Sequence, residues 1–273
     1  MTGENAYGMR KRLQALSDLM DRLKPGSVLE IGCGSGAYLL APLAQHYPDA
    51  SFLGIDTDSV SIDYARSHFH SANLCFESDV DPDRRFDLVI ASEVIEHVEL
   101  PKEFLVAAAA RLNPGGKLFV TTPNGYGPFE WASLVQVLLI RSGIFPALRR
   151  IKRAIFGGGP AAEAVPDSYA ASPHINFFSW REIRALIGMA GLDTDSYQGR
   201  TWLCGFGFDF LVRGGRLADW NARIADRLHP SLVSDWMFVL APARPPQSGD
   251  YRRNGWARLR RRLNERMIEA GRR

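Results

Sequence analysis

The chain predicts a doubly wound α/β fold on a mainly parallel sheet of seven strands, and three observations carry that expectation. Short apolar runs alternate with helix-length amphipathic segments over the first 125 residues. One run, Val28-Leu29-Glu30-Ile31, opens directly into three glycines spaced two apart, Gly32, Gly34 and Gly36. A strand that enters a glycine loop and leaves through a helix is the opening of a nucleotide-binding α/β domain. Two further runs, 193–198 and 236–240, follow a late helix and bring the strand count to seven.

Taken in order, residues 8–23 put Met9, Leu13, Leu16, Leu19, Met20 and Leu23 on one helical face, and Pro25-Gly26 ends it. Strands are expected at 27–31, 51–55, 73–77, 86–91 and 116–121, with helices near 36–46, 58–68 and 101–111 between them. Pro114, Gly115 and Gly116 spell a tight turn into the fifth strand. Ser179 and Glu182 make a capping box for a helix at 179–190. Segments 193–198 and 236–240 read as edge strands, with a partly helical stretch at 206–230 between them.

Charge selects the nucleotide. Gly32 to Ala37 also satisfies G-x-G-x-x-A, a dinucleotide fingerprint. A pyrophosphate would meet Glu30, two residues before the first glycine, as an unwelcome anion. S-adenosylmethionine (SAM) has no phosphate and carries a sulfonium and an ammonium, which suit that carboxylate. Asp56 closes the second strand about twenty residues past the glycines, where a carboxylate can accept both ribose hydroxyls. Asp79 follows the third strand.

With the "EVIEHV" stretch at 93–98, "NPGG" at 113–116 and "TPNG" at 122–125, this order resembles the class I SAM-dependent methyltransferases. The resemblance is to the ubiquinone-biosynthesis O-methyltransferase branch; it covers residues 26 to 125 and resumes from His174 to Leu192. It implies that Glu30, Gly32, Gly34, Gly36, Asp56, Asp79 and Ser92 hold SAM, with Asp79 at the adenine amino group. It implies four parts: residues 1–125 and 176–242 as the two portions of the SAM-binding domain, 126–175 as an inserted lid over the acceptor, and 243–273 as a basic tail. Tyr7 and Arg10 match a region that folds over SAM in the family.

Glu93, Glu96 and His97 are spaced to share one face of a helical turn after the fourth strand, an oxygen-and-nitrogen set for a divalent ion such as magnesium or zinc. The E-x-x-E-H pattern matches the metal ligands of ubiquinone-pathway and small-RNA 2′-O-methyltransferases, and His174 stands where the latter place a further histidine. The resemblance therefore implies a metal held by Glu93, Glu96, His97 and His174, with His97 and His174 as catalytic groups. A metal-free reading keeps His97 alone as the base, and purely structural roles stay open beside both.

Three cysteines without C-x-x-C spacing argue against a disulfide framework. Residues 1–10 lack an apolar signal core, and the longest apolar run, 134–140, is far short of the roughly twenty residues that span a bilayer. A cytoplasmic enzyme is expected. In the insertion, Leu148, Ile151 and Ile155 share a helical face away from Arg149, Arg150, Lys152 and Arg153, before Gly157-Gly-Gly-Pro160 breaks the segment and a loop runs to Pro166. The tail from Ala243 holds ten arginines against three acids, +7 within a chain of +3, so the rest is mildly acidic. Trp256, Leu259, Leu263 and Met267 form its apolar stripe. Such a helix either packs on the domain or lies on an anionic membrane, which would place the protein at the inner face of the membrane.

The expected activity is O-methylation of a hydroxyl on a small or lipid-linked acceptor. An RNA 2′-O-methyltransferase and a non-catalytic SAM-binding membrane adaptor are the alternatives. Nucleic acid is disfavoured by the acidic body and the lack of a stacked-aromatic RNA module. Trp202, Phe206, Phe208 and Phe210 read either as an apolar acceptor pocket or as core.

Overall fold

The computed structural model describes residues 8–144, 150, 174–205, 212 and 215–271. Its elements in chain order are α1 (Met9–Leu23), β1 (Ser27–Ile31), α2 (Leu40–His46), β2 (Ser51–Ile55), α3 (Ser59–His68), β3 (Leu74–Glu77), β4 (Phe86–Ser92), α4 (Pro101–Ala110) and β5 (Leu112–Pro123). There follow α5 (Pro128–Arg141), α6 (Trp180–Met189), β6 (Leu192–Gly199), α7 (Gly215–Ile224), β7 (Asp235–Pro242) and α8 (Gly255–Gly271).

The seven strands form one sheet in the order β3-β2-β1-β4-β5-β7-β6. β7 runs antiparallel to both neighbours, and the other contacts are parallel. Neighbouring strand residues face opposite sides, and the core divides accordingly. Val28, Phe52, Leu88 and Phe119 meet Leu16 of α1, Leu43 of α2 and Ile62 of α3 on one face. Leu29, Leu53, Val89 and Leu118 meet Leu105 of α4 and Ile183 of α6 on the other. The chain reverses direction across the sheet between β1 and β4, and a doubly wound sheet opens its ligand crevice there.

Four local expectations change. β7 lies inside the sheet rather than at its edge, and six of its eight residues are buried. Its unbroken run Trp-Met-Phe-Val-Leu is what a strand covered on both faces requires. Pro114 to Gly116 lie within β5, where the pairing jumps from Phe86↔Leu112 to Leu88↔Lys117; the extra residues bulge out. α2 begins at Leu40, after a run of turns from Gly34, with no side-chain cap. Residues 95–97 form a turn rather than a helix.

The capping box of Ser179 and Glu182 is present. The tail helix is docked on the domain: Ala257 and Arg260 are buried, Trp256 and Leu263 are partly buried, and Leu259 is half exposed. No helix among the described residues is long and apolar enough to cross a membrane. The expected basic helix at 148–156, the break at 157–160, the loop to 166, Tyr7, the aromatics at 206, 208 and 210 and the Met267 side chain lie outside the described residues.

Candidate active site

β1 delivers Glu30 and then the glycine loop, while β4, paired with it from Val28↔Leu88 to Ile31↔Ala91, delivers Ser92 and Glu93 beside it. Gly32, Gly34 and Gly36 all have positive φ, at 73°, 52° and 70°. At Gly36 a Cβ would also strike the Phe76 ring, so neither backbone nor space admits a side chain. Asp56 steadies the loop: its Oδ2 accepts from Gly34 N at 2.8 Å and its Oδ1 from Asp58 N at 2.9 Å. Each carboxylate oxygen keeps a further lone pair for a ribose hydroxyl. Asp79 is exposed, and its Oδ1 accepts from Val80 N.

Glu30 is the unusual group. It is buried, and its Oε2 has no hydrogen-bond partner. Desolvation pushes its carboxyl up to about 8 against the partial pull of the Arg12 guanidinium, with Asp56 adding repulsion. A buried carboxylate oxygen left without a donor is costly, and a cationic ligand beside the glycine loop answers that cost. The residues present therefore fit SAM.

Beneath this crevice lies a buried charged network that sequence reading did not foresee. Arg12 of α1 donates from Nη1 to Ser92 Oγ at 2.8 Å, and Ser92 shares a hydrogen bond with Thr121. Ser92 is thus tied beneath the loop. Glu93 takes φ 58°, rare for a residue with a Cβ. Its N–H donates to Thr121, whose hydroxyl donates back to Glu93 Oε1 at 2.6 Å. Arg200, just after β6, pairs with Glu93 at 3.1 Å and with Asp235 of β7 at 2.7 Å. Desolvation opposes charge on Glu93, but Arg200 and Arg12 outweigh it and hold the carboxyl below its usual range. Arg12 was legible in principle, since it continues the Leu16, Leu19, Met20 face of α1, where an apolar residue is expected.

Glu93 is thus held by Arg200 and Thr121 and does not join the other three expected ligands, although its charge still reaches Glu96 and His174. Glu96, His97 and His174 do come together: each offers one ligand atom, all within 4.8 Å of one another. The rings of His97 and His174 meet edge to face at 4.9 Å between centroids. Backbone bonds from Ile175 N and Asn176 N to Glu96 O fasten the two segments. Thr122 Oγ1 donates to Glu96 Oε2, and Glu96 Oε1 is buried without a partner. Burial, with Glu93 repelling, pushes the Glu96 carboxyl up to about 8. His174 Nδ1 bonds Glu130 Oε1 of α5 at 2.8 Å, and Glu130 Oε2 accepts from Arg260 at 2.7 Å. Burial disfavours charge on His174, yet the bond to Glu130 and the surrounding carboxylates outweigh it and raise the imidazole to about 9. Two imidazoles and a carboxylate with an orphaned oxygen fit a borderline divalent cation, with three of the four expected ligands in reach.

Residues 1–197 match the profile of a methyltransferase domain. The chain is 38% identical over 103 residues to a ubiquinone biosynthesis O-methyltransferase of Bradyrhizobium diazoefficiens, covering 36% of this chain and 40% of that protein. It is 36% identical over 109 residues to the protein of the same name from Coxiella burnetii, covering 37% and 45%. The chain thus spans less than half the length of these curated relatives. PKMT2 from Rickettsia typhi in complex with AdoHcy superposes with a TM-score of 0.50 at 15% identity, over 84% of this chain and 51% of that one. The plantazolicin methyltransferase BpumL in complex with a triazolic desmethylPZN analog and SAH gives 0.51 at 16%, over 87% and 86%. At those identities the fold is what is shared. With the glycine loop, the orphaned Glu30 and the matched domain together, the chain belongs to the SAM-dependent methyltransferase family.

Proposed function

We propose that this protein transfers the methyl of SAM to a hydroxyl oxygen of a small or lipid-linked acceptor, with Glu96, His97 and His174 as the acceptor site. The gathering of those three groups beside the end of β4 carries the reading. The names of the sequence relatives agree with it. Glu30, the glycine loop, Asp56 and Asp79 hold the donor, which brings its own leaving group. Methyl transfer then asks the protein to hold the acceptor oxygen in line and to remove its proton. His97 takes that proton, and Glu96 and His174 orient the hydroxyl. A divalent cation at these three side chains would, when bound, lower the hydroxyl pKa. Helix α5, whose Glu130 bonds His174, covers the acceptor on this side.

His97→Ala is expected to lower the formation of S-adenosylhomocysteine from SAM, with a catechol as the acceptor, by about 100-fold, the scale of general-base catalysis. Calorimetric affinity for S-adenosylhomocysteine should change less than twofold. Unchanged turnover would remove His97 from the chemistry. Chelator treatment followed by added magnesium or zinc separates the metal-assisted form from the metal-free one.

We further propose that the lid side rests on an anionic lipid surface. Trp131, Val135 and Leu138, at i, i+4 and i+7 of α5, are each about half exposed, as is Leu259 of α8. The Trp131 ring lies 5.8 Å from that of Trp256, so the two helices share this face. Arg258 and Arg262 of α8 are exposed beside it. Apolar side chains flanked by arginines suit a headgroup boundary. Trp131→Asp/Leu138→Asp is expected to at least halve co-sedimentation with phosphatidylglycerol vesicles; equal, negligible sedimentation of variant and parent ends this reading.

A further inference from the structure

The tail reaches the acceptor site itself. We infer that α8 is a positioning element of the catalytic centre and that Arg260 orders His174 through Glu130; this rests on the acceptor-site reading above.

Arg260 is only 1% exposed, although its neighbours Arg258 and Arg262 face solvent. Its guanidinium lies 5.1 Å above the Phe177 ring and donates through Nη2 to both Oε2 and the backbone oxygen of Glu130. Glu130 is 5% exposed on its side chain and spends its other oxygen on His174 Nδ1. An anion accepting at Nδ1 assigns that nitrogen the proton and leaves Nε2 as the working atom. One carboxylate thus joins the tail to the imidazole.

The grip extends to both segments of the site. Asn264 of α8 donates to the backbone oxygen of His174 at 3.3 Å. Arg253, just before α8, donates to Asn176 Oδ1 and to the backbone oxygen of Glu99, each at 2.7 Å. Asn176 in turn donates to Ile95 O and Val98 O, on either side of Glu96 and His97. Arg261 makes a two-pronged pair with Glu99 at 2.6 and 2.8 Å. A merely solvated basic tail has no need of a buried arginine with a carboxylate partner. A carboxylate buried among apolar groups needs a cation, and the chain returns about 130 residues later to supply it. The matched methyltransferase domain ends at residue 197, so this support lies outside it.

The test is histidine-¹⁵N NMR on the full chain, read beside turnover and S-adenosylhomocysteine affinity. In the parent, His174 should show a far-downfield, exchange-protected Nδ1 proton. Arg260→Met should broaden or abolish it and lower kcat roughly 10–100-fold, the usual cost of removing a group that orients a working histidine. The KM for SAM and S-adenosylhomocysteine affinity should stay within twofold. Arg244→Ala, removing a half-exposed tail arginine that pairs with Asp193, should change none of these. If Arg260→Met does not fold, Arg260→Met/Glu130→Gln leaves no lone buried charge and should move the resonance upfield with the same loss of kcat. An unmoved resonance with parental kcat in either variant overturns the inference. Full turnover in His174→Ala would instead sink the acceptor-site reading, while the resonance in the parent and its shift in Arg260→Met would still report the clamp.

Discussion

Glu30→Gln is expected to raise the melting temperature of the unliganded protein at pH 8 while removing most of its affinity for SAM. The folded Glu30 carboxyl stands at about 8 against an ordinary value of 4.5. The folded chain therefore binds that proton more tightly than the unfolded chain does. Stability is lost as pH rises from about 4.5 to 8, the reverse of a salt-bridged carboxylate. One pKa unit is about 1.4 kcal/mol, so the ionised side chain costs the unliganded fold a few kcal/mol at pH 8. Glutamine removes that cost. A Tm gain of roughly 5 °C at pH 8, shrinking towards zero at pH 5, is the expected signature by differential scanning calorimetry.

Binding should move the other way. A charge-assisted contact contributes about 1.5–3 kcal/mol, so SAM affinity should fall roughly 10–100-fold in Glu30→Gln. In the parent it should climb with pH up to about 8 as the carboxylate ionises. Titration with both ligands locates the contact: a larger loss for SAM than for S-adenosylhomocysteine places Glu30 at the sulfonium, an equal loss at the ammonium. Parental SAM affinity in the variant would refute the electrostatic basis of donor selection.

What the sequence exposed and what it hid follow one physical division. The strands and the glycine loop rest on local periodicity and on residues without a Cβ, so β1, β2, β4 and α1 stand within a residue of expectation. Glu96, His97 and His174 were legible because their chemistry is written in their types, although 77 positions separate His97 from His174. The partners that decide how each carboxylate behaves were not. Glu93 was grouped with its neighbours by spacing, but a left-handed backbone turns it to Arg200, more than a hundred residues away. The tail hid its partner for a related reason. Counting apolar residues gave a stripe at Trp256, Leu259, Leu263 and Met267 with its facing left open, whereas Leu259 is half exposed and Arg260 is buried against the Glu130 carboxylate. Long-range charge pairing leaves no periodic trace.

Arg200→Met tests that pairing with the largest expected loss of stability. Methionine fills much of the same space, so packing is largely kept, but Glu93 and Asp235 lose their shared cation inside the fold. Removing one partner of a buried pair costs about 3–5 kcal/mol, and here one cation serves two anions. A Tm drop of about 10 °C or more at pH 8 is expected. The pH dependence carries the diagnosis. Desolvation, against the pull of Arg200, already places the Asp235 carboxyl at about 6. Without Arg200 both carboxyls move higher, and the variant recovers as pH falls and each takes up a proton. The deficit should therefore narrow towards pH 5, where a loss due to packing would stay constant. Arg200→Met/Asp235→Asn, with one anion fewer to bury, should regain part of the loss at pH 8. Because Arg200 holds Glu93, which directly follows β4 beside the strand that carries the glycine loop, the single variant should also weaken donor binding, whereas Asp235→Asn alone, with the Glu93–Arg200 pair intact, should leave it within a few-fold of the parent.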